Sequence, residues 1–185
     1  MKIRYAVAMA ITALALPMAA LAEPAARQSV DVTGWIEGSG PTTAVYGDAS
    51  LVRTDDGISM NFQTKGLPAG QPVTIWWIIL GPNGPVSAQF AAGHIVGNNG
   101  VASFAGHLAE GDTSGCFHPL FPCEGLTDAR NQTVILLARI HGEKDPGRIP
   151  TQIHTGETNF GNSGFEDDLC NATYCQIQAA IFPGA

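Results

Sequence analysis

Pro72-Val73-Thr74-Ile75-Trp76-Trp77-Ile78-Ile79-Leu80 is the most apolar run that follows the N-terminal region of the chain. It is rich in β-branched and aromatic side chains, which suit a pleated, buried surface. Its apolar residues do not alternate with polar ones. On a strand, Thr74, Trp76, Ile78 and Leu80 would line one face, and Val73, Ile75, Trp77 and Ile79 the other. A strand that is apolar on both faces belongs in the middle of a layered β-structure. At nine residues the run is too short to cross a bilayer as a helix. Core packing, rather than stacking on a sugar, is the role this position gives Trp76 and Trp77.

Working outward, the chain reads as short strands separated by turn residues. It holds 22 Gly and 12 Pro and shows no amphipathic helical segment, which predicts an all-β domain. Residues 23–29 read as a loose N-terminal arm, 30–36 as a first strand and 38–43 as a turn-rich loop. Asp55-Asp56-Gly57 is a hairpin signal between residues 50–53 and 58–64. In its second arm Ile58, Met60 and Phe62 face in, while Ser59, Asn61 and Gln63 face out. Gly66-Leu67-Pro68-Ala69-Gly70 is a turn that leads into the Trp strand, and residues 81–85 end that strand. Asn99-Gly100 predicts a two-residue turn within residues 87–108. That turn would set Ile95 opposite Phe104 and place His94 and His107 on one face. Residues 111–131 form a long irregular segment, 133–141 a strong strand, 142–150 a charged loop, 151–155 a short strand and 176–182 a last strand. The fold class that follows is an antiparallel β-sandwich of about seven to nine strands.

The N-terminus reads as a secretory signal. Lys2 and Arg4 supply the positive region, residues 6–16 the apolar run, and Ala20-Leu21-Ala22 the small-x-small cleavage pattern. Residues 1–22 are therefore expected to be removed, leaving 23–185 as a single β-sandwich domain that is secreted or periplasmic and has no transmembrane segment. Of 9 basic residues, 2 leave with the signal. The remaining 7 face 16 acidic ones, a balance of −9. Such a surface argues against nucleic acid as a partner. Cys116, Cys123, Cys170 and Cys175 form an even set in an exported chain, which reads as disulfides. Of three connectivities the local pairs are favoured, Cys116 with Cys123 and Cys170 with Cys175.

Several phrases carry a resemblance: Gly66-Leu67-Pro68-Ala69-Gly70 before Trp76-Trp77, Gly93-His94-Ile95-Val96-Gly97, and Ala138-Arg139-Ile140-His141-Gly142. They continue with Pro146-Gly147, Gln152-Ile153-His154-Thr155 and Cys175-Gln176-Ile177-Gln178-Ala179-Ala180. Their order and spacing, over roughly residues 58–182, resemble a family of small exported bacterial proteins with no assigned activity. The resemblance implies an exported β-domain and supplies no chemistry. The Gly-Leu-x-x-Gly turn and the His141-Gly142 corner are also similar to chordin-type repeat domains and, through them, to copper/zinc superoxide dismutase. Dismutases carry a His-x-His pair on the strand after that turn. Here the strand carries Trp76-Trp77, so only the sandwich architecture transfers.

The candidate chemistry is sparse. His94, His107, His141 and His154 are the candidate metal ligands, a set that would suit copper or zinc if the four converged. His118 reads as a solvated loop residue. There is no Gly-x-Ser-x-Gly elbow and no free Cys with a His partner. Asp55-Asp56 and Glu166-Asp167-Asp168 read as solvated charge. The second cluster lacks the alternating spacing of a calcium loop. The leading expectation is an exported, non-enzymatic domain that binds an unknown ligand or surface partner and needs no cofactor. The alternatives are a copper- or zinc-binding protein using the four His, and a hydrolase whose site the sequence does not reveal.

Overall fold

The structure, a computed structural model, describes residues 23–36, 39–116, 122–154 and 176–184. Eight strands run in the order β1 (Ala26–Ile36), β2 (Gly40–Thr54), β3 (Gly57–Thr64), β4 (Pro72–Gly81), β5 (Gly84–Ile95), β6 (Ala102–Ala109), β7 (Thr133–Ile140) and β8 (Gln176–Phe182), with one short helix, α1 (Ile149–Ile153), before β8. All pairings are antiparallel. The all-β class holds, and the strand count falls within the expected range. The strands form one continuous sheet, ordered β5-β4-β7-β8-β1-β2-β3-β6, rather than two sheets with separate edges. Its two end strands approach each other, so the sheet is nearly closed. Bulges in β1, β4–β5 and β7–β8 supply the bends.

The Trp strand behaves as its composition requires. β4 lies between β5 and β7. Val73, Ile75, Trp77 and Ile79 enter the main core, and Trp77 is 1% exposed. The opposite face carries Trp76 and Ile78 into a second cluster with Leu137 and Ala179, and Trp76 is 3% exposed. β7 repeats the pattern, with Val134, Leu136, Ala138 and Ile140 inside and Ile135 and Leu137 outside. β3 alternates as expected: Ile58, Met60 and Phe62 are buried, whereas Ser59, Asn61 and Gln63 are exposed.

One end of the sheet is closed by Arg53, which is buried. Its guanidinium donates to Gln28 Oε1 (2.8 Å), to the Ala129 and Gln132 carbonyls (both 2.9 Å), and to the Phe182 and Pro183 carbonyls. A single fork thereby ties β1, the 128–132 turn and the end of β8 to β2. Nearby, Arg130 pairs with Asp55 at 2.9 Å and donates to the carbonyls of Glu23 and Pro24.

Four local expectations are corrected. β1 begins at Ala26, so much of the supposed N-terminal arm is strand, with Arg27 and Ser29 opposite Val52 and Ser50. β2 begins at Gly40, whose φ of +87° takes the chain back along β1 where a loop was expected. Residues 149–153 form α1, not a strand. Pro150 sits in the first turn, where its fixed φ suits a helix and its missing N–H costs nothing.

The largest correction concerns β5 and β6, which do not form a hairpin. β5 turns back on β4 through Pro82-Asn83, with Gly81 opposite Gly84. β6 pairs with β3. The 96–101 loop binds the 67–71 turn instead: Leu67 N–H donates to the Gly100 carbonyl, and Gly70 N–H to the Val96 carbonyl. β5 and β6 therefore end on opposite edges of the sheet and meet only across its seam, where the rings of His94 and Phe104 stack at 4.5 Å. The Cys116–Cys123 disulfide is present, with Cα atoms 5.8 Å apart. The expected signal region 1–22, His118, the expected Cys170–Cys175 pair and the Glu166-Asp167-Asp168 cluster lie outside the described residues.

Candidate functional site

The outer face of β5, β4, β7 and β8 is built from cross-strand rows of apolar residues. Phe90 lies opposite Trp76, Trp76 opposite Leu137, and Leu137 opposite Ala179. α1 packs onto this face over β4 and β5. Gly93 makes room for it, because a Cβ there would run into the Ile153 carbonyl. At the C-terminal end of α1, the exposed His154 sets its ring 4.9 Å from that of Phe90, edge to face at 65°. Phe90 in turn meets Trp76 edge-on at 6.3 Å. Three aromatic rings thus run from the buried strand to the surface.

Beside them is a cleft of about 460 Å³, lined by Pro150, Thr151, Ile153 and His154. That volume is in the range of small-molecule sites. The wall is held rigidly. Buried Gln152 donates to the Glu143 carbonyl at 3.0 Å and to the His141 carbonyl at 3.4 Å, and accepts from Asp145 N–H at 3.0 Å. The helix is only five residues long, so this amide, and not helical propensity, fixes it to the sheet.

Under α1 lies a buried polar chain. Trp76 Nε1–H donates to Thr74 Oγ1 at 2.8 Å, and Thr74 Oγ1 lies 2.8 Å from His141 Nε2. His141 is 1% exposed. Burial, reinforced by the positive charge of Arg139, pushes its pKa down to about 3. The imidazole is therefore neutral at ordinary pH. The Thr74 hydroxyl, having accepted from the indole, has its own proton to give to Nε2.

The four histidines nominated as metal ligands are dispersed. His94 lies opposite Val73, a core residue, and so points inward. Its Nδ1 is 2.8 Å from the Ile95 carbonyl. His107 lies opposite Ser59 on the exposed face of β6, with Nδ1 3.0 Å from Ser59 Oγ. The expected shared face fails because the pairing that implied it does not form. His141 is buried under α1, and His154 caps the cleft. Among the described residues, no three His, Cys, Asp or Glu side chains come together in a group that could hold a metal ion. The Ser59–His107 pair has no carboxylate hydrogen-bonded to its ring among the described residues, so the orienting third member of a triad is not supplied there.

Phe90 is a part of this region that the sequence did not single out, and Thr74 and Gln152 were named only for a strand face and within a quoted phrase, with no role in a site. The available signals were Pro150, which marks a helix start, and Gly93, which marks a close approach of backbone. No family model matches the chain, and no curated protein or solved structure matches it either.

Proposed function

We propose that this chain is an exported binding domain, acting at the cell surface or in the periplasm, whose ligand site is the cleft along α1 beside His154. The observation that carries this reading is the cleft of about 460 Å³ bounded by Pro150, Thr151, Ile153 and His154, the last of which holds its ring 4.9 Å from that of Phe90. Its composition suits a small ligand with a planar apolar body that lies against Ile153 and the exposed face of His154, and with one polar group for the imidazole. The wall is pre-ordered by Gln152, so binding need not first fold it. Export is supported by the N-terminal charge and apolar pattern, and by the Cys116–Cys123 disulfide, a bond of oxidising compartments.

The test is a panel of planar aromatic fragments screened against the full chain by saturation-transfer NMR, with the His154 ring and Ile153 methyl signals followed in parallel. Binding should shift both signals, and His154→Ala should weaken the best fragment by roughly tenfold, the loss of about one ring contact and one hydrogen bond. If no fragment moves either signal, or if His154→Ala binds as well as the parent, the cleft is not the site.

A further inference from the structure

The far edge of β5 has two neighbours. Near Ala91 to His94 it faces β6 across the seam, where a Cβ on Gly106 would touch the Ala91 carbonyl. From Val86 to Phe90 it is covered by the disulfide-bearing segment. Phe90 N–H donates to the Gly115 carbonyl at 2.9 Å, and Glu124 N–H donates to the Val86 carbonyl at 3.1 Å. Cys116 forms a bridge with Gln89, and Cys123 one with Ser87. The disulfide holds two short runs of chain against this edge as a surrogate strand. Both cysteines are partly exposed, so a small thiol can reach them.

The contact under the clasp is incompletely satisfied. Gln89 is 1% exposed, and its Nε2 donates to the Asp112 carbonyl at 3.0 Å and to Ser87 Oγ at 3.2 Å. Its Oε1 is buried and, among the described residues, accepts no hydrogen bond. Lifting the segment would let water reach that oxygen, which lowers the cost of opening. Phe90 links this edge to the cleft. Its N–H is held by the clasp, and its ring stands 4.9 Å from His154.

We propose that the Cys116–Cys123 disulfide is a redox switch for the α1 cleft: reduction releases the segment from the edge of β5, and Phe90 carries the change to His154. The proposal rests on the cleft being the ligand site, and it names the regulation of that site. The co-reactant is a dithiol. One thiolate attacks a sulfur of the pair and forms a mixed disulfide, and the other cysteine leaves as a thiolate and takes up a proton. The second thiol of the reductant then closes on its own sulfur and expels the second cysteine. Two electrons and two protons reach the protein, and the reductant departs as a disulfide.

The experiment uses the full chain in three forms: oxidised, reduced with dithiothreitol, and C116S/C123S, which leaves the other two cysteines untouched. Amide exchange is followed at Phe90 and Glu124, with Trp77 and Leu136 as references in the core, and the His154 ring signal is recorded without ligand. Opening should speed exchange at Phe90 and Glu124 by roughly tenfold or more while the core amides stay protected, and it should move the His154 signal in both the reduced protein and the double variant. Unchanged Phe90 exchange overturns the proposal, because the segment then holds without the bond. Loss of protection in the core as well overturns it, because the bond is then a staple of the whole fold. A fast Phe90 amide with an unmoved His154 ring overturns the transmission. None of these readouts needs a ligand, so a failed fragment screen and a failed switch are separate results.

Discussion

Acid should destabilise this protein through His141 in a way that a single substitution isolates. The ring is held neutral in the fold, with its pKa pushed from an ordinary 6.5 down to about 3 by burial and by the charge of Arg139. In the unfolded chain it takes up a proton near pH 6.5. Between those two values the unfolded state binds the extra proton, so stability falls as pH falls, by about 1.4 kcal/mol per pH unit once well below 6.5. Above pH 6.5 the group is neutral in both states and contributes no slope. From pH 7.5 to pH 4.5 the loss from this one group is about 3 kcal/mol, a large part of a typical total of about 5–15 kcal/mol. His141→Gln presents an amide to Thr74 and does not titrate in this range. Urea unfolding followed by tryptophan fluorescence at both pH values gives the comparison. The carboxylates contribute equally to both proteins, so the parent should lose about 3 kcal/mol more than the variant. Parallel losses, equal within about 0.5 kcal/mol, would refute the reasoning, as would a His141 ring signal that titrates above pH 5.

Two further outcomes follow from named contacts. Arg53→Met removes a guanidinium that serves five acceptors and takes this donor from the buried Ala129 and part-buried Gln132 carbonyls; the cost should be about 3–5 kcal/mol, read as a drop of about 10 °C in melting temperature. Gly93→Ala should push α1 off the sheet, because its Cβ and the Ile153 carbonyl compete for one place; the His154 and Ile153 signals should shift while the core amides of β7 stay put, and an unmoved His154 ring would count against the packing described.

The faces of the individual strands were legible because each is set by a period of two, which any window of five or six residues displays. Residues 72–80 and 133–140 declared themselves apolar on both sides, and both proved to be interior to the sheet with a cluster on each face. Pairing was not legible to the same degree. Asn99-Gly100 is a good hairpin turn considered alone, but β5 pairs back onto β4 through the two-residue turn Pro82-Asn83, and backbone hydrogen bonds from the 67–71 turn claim the 96–101 loop. Local propensity cannot weigh those long-range bonds. The site suffered most. The nearness of His94 and His107 was inferred from the wrong pairing, while the ring contact of His154 with Phe90 joins residues 64 positions apart with no sequence signature at all.

The placement of the cleft has a thermodynamic logic of its own. On one half of the sheet the outer rows are polar. Ser29, Ser50 and Asn61 stand side by side across β1, β2 and β3, and Asp31, Asp48 and Gln63 form the row two residues further along. Water satisfies those rows without help. On the other half, Ala88, Ile78, Ile135 and Ile181 form one outer row, and Phe90, Trp76, Leu137 and Ala179 the next. Leaving such a surface in water costs about 25 cal/mol for every Å² exposed. An antiparallel sheet with one solvated face does not need apolar rows there. The apolar half therefore has to be covered, and α1 covers the part over β4 and β5. A cover one turn long, fixed by a single amide, cannot follow a twisted sheet along its whole length. The cleft beside His154 lies at the end of that cover, lined by Pro150, Thr151, Ile153 and His154, and a ligand with an apolar body is the cover the proposed function would place there.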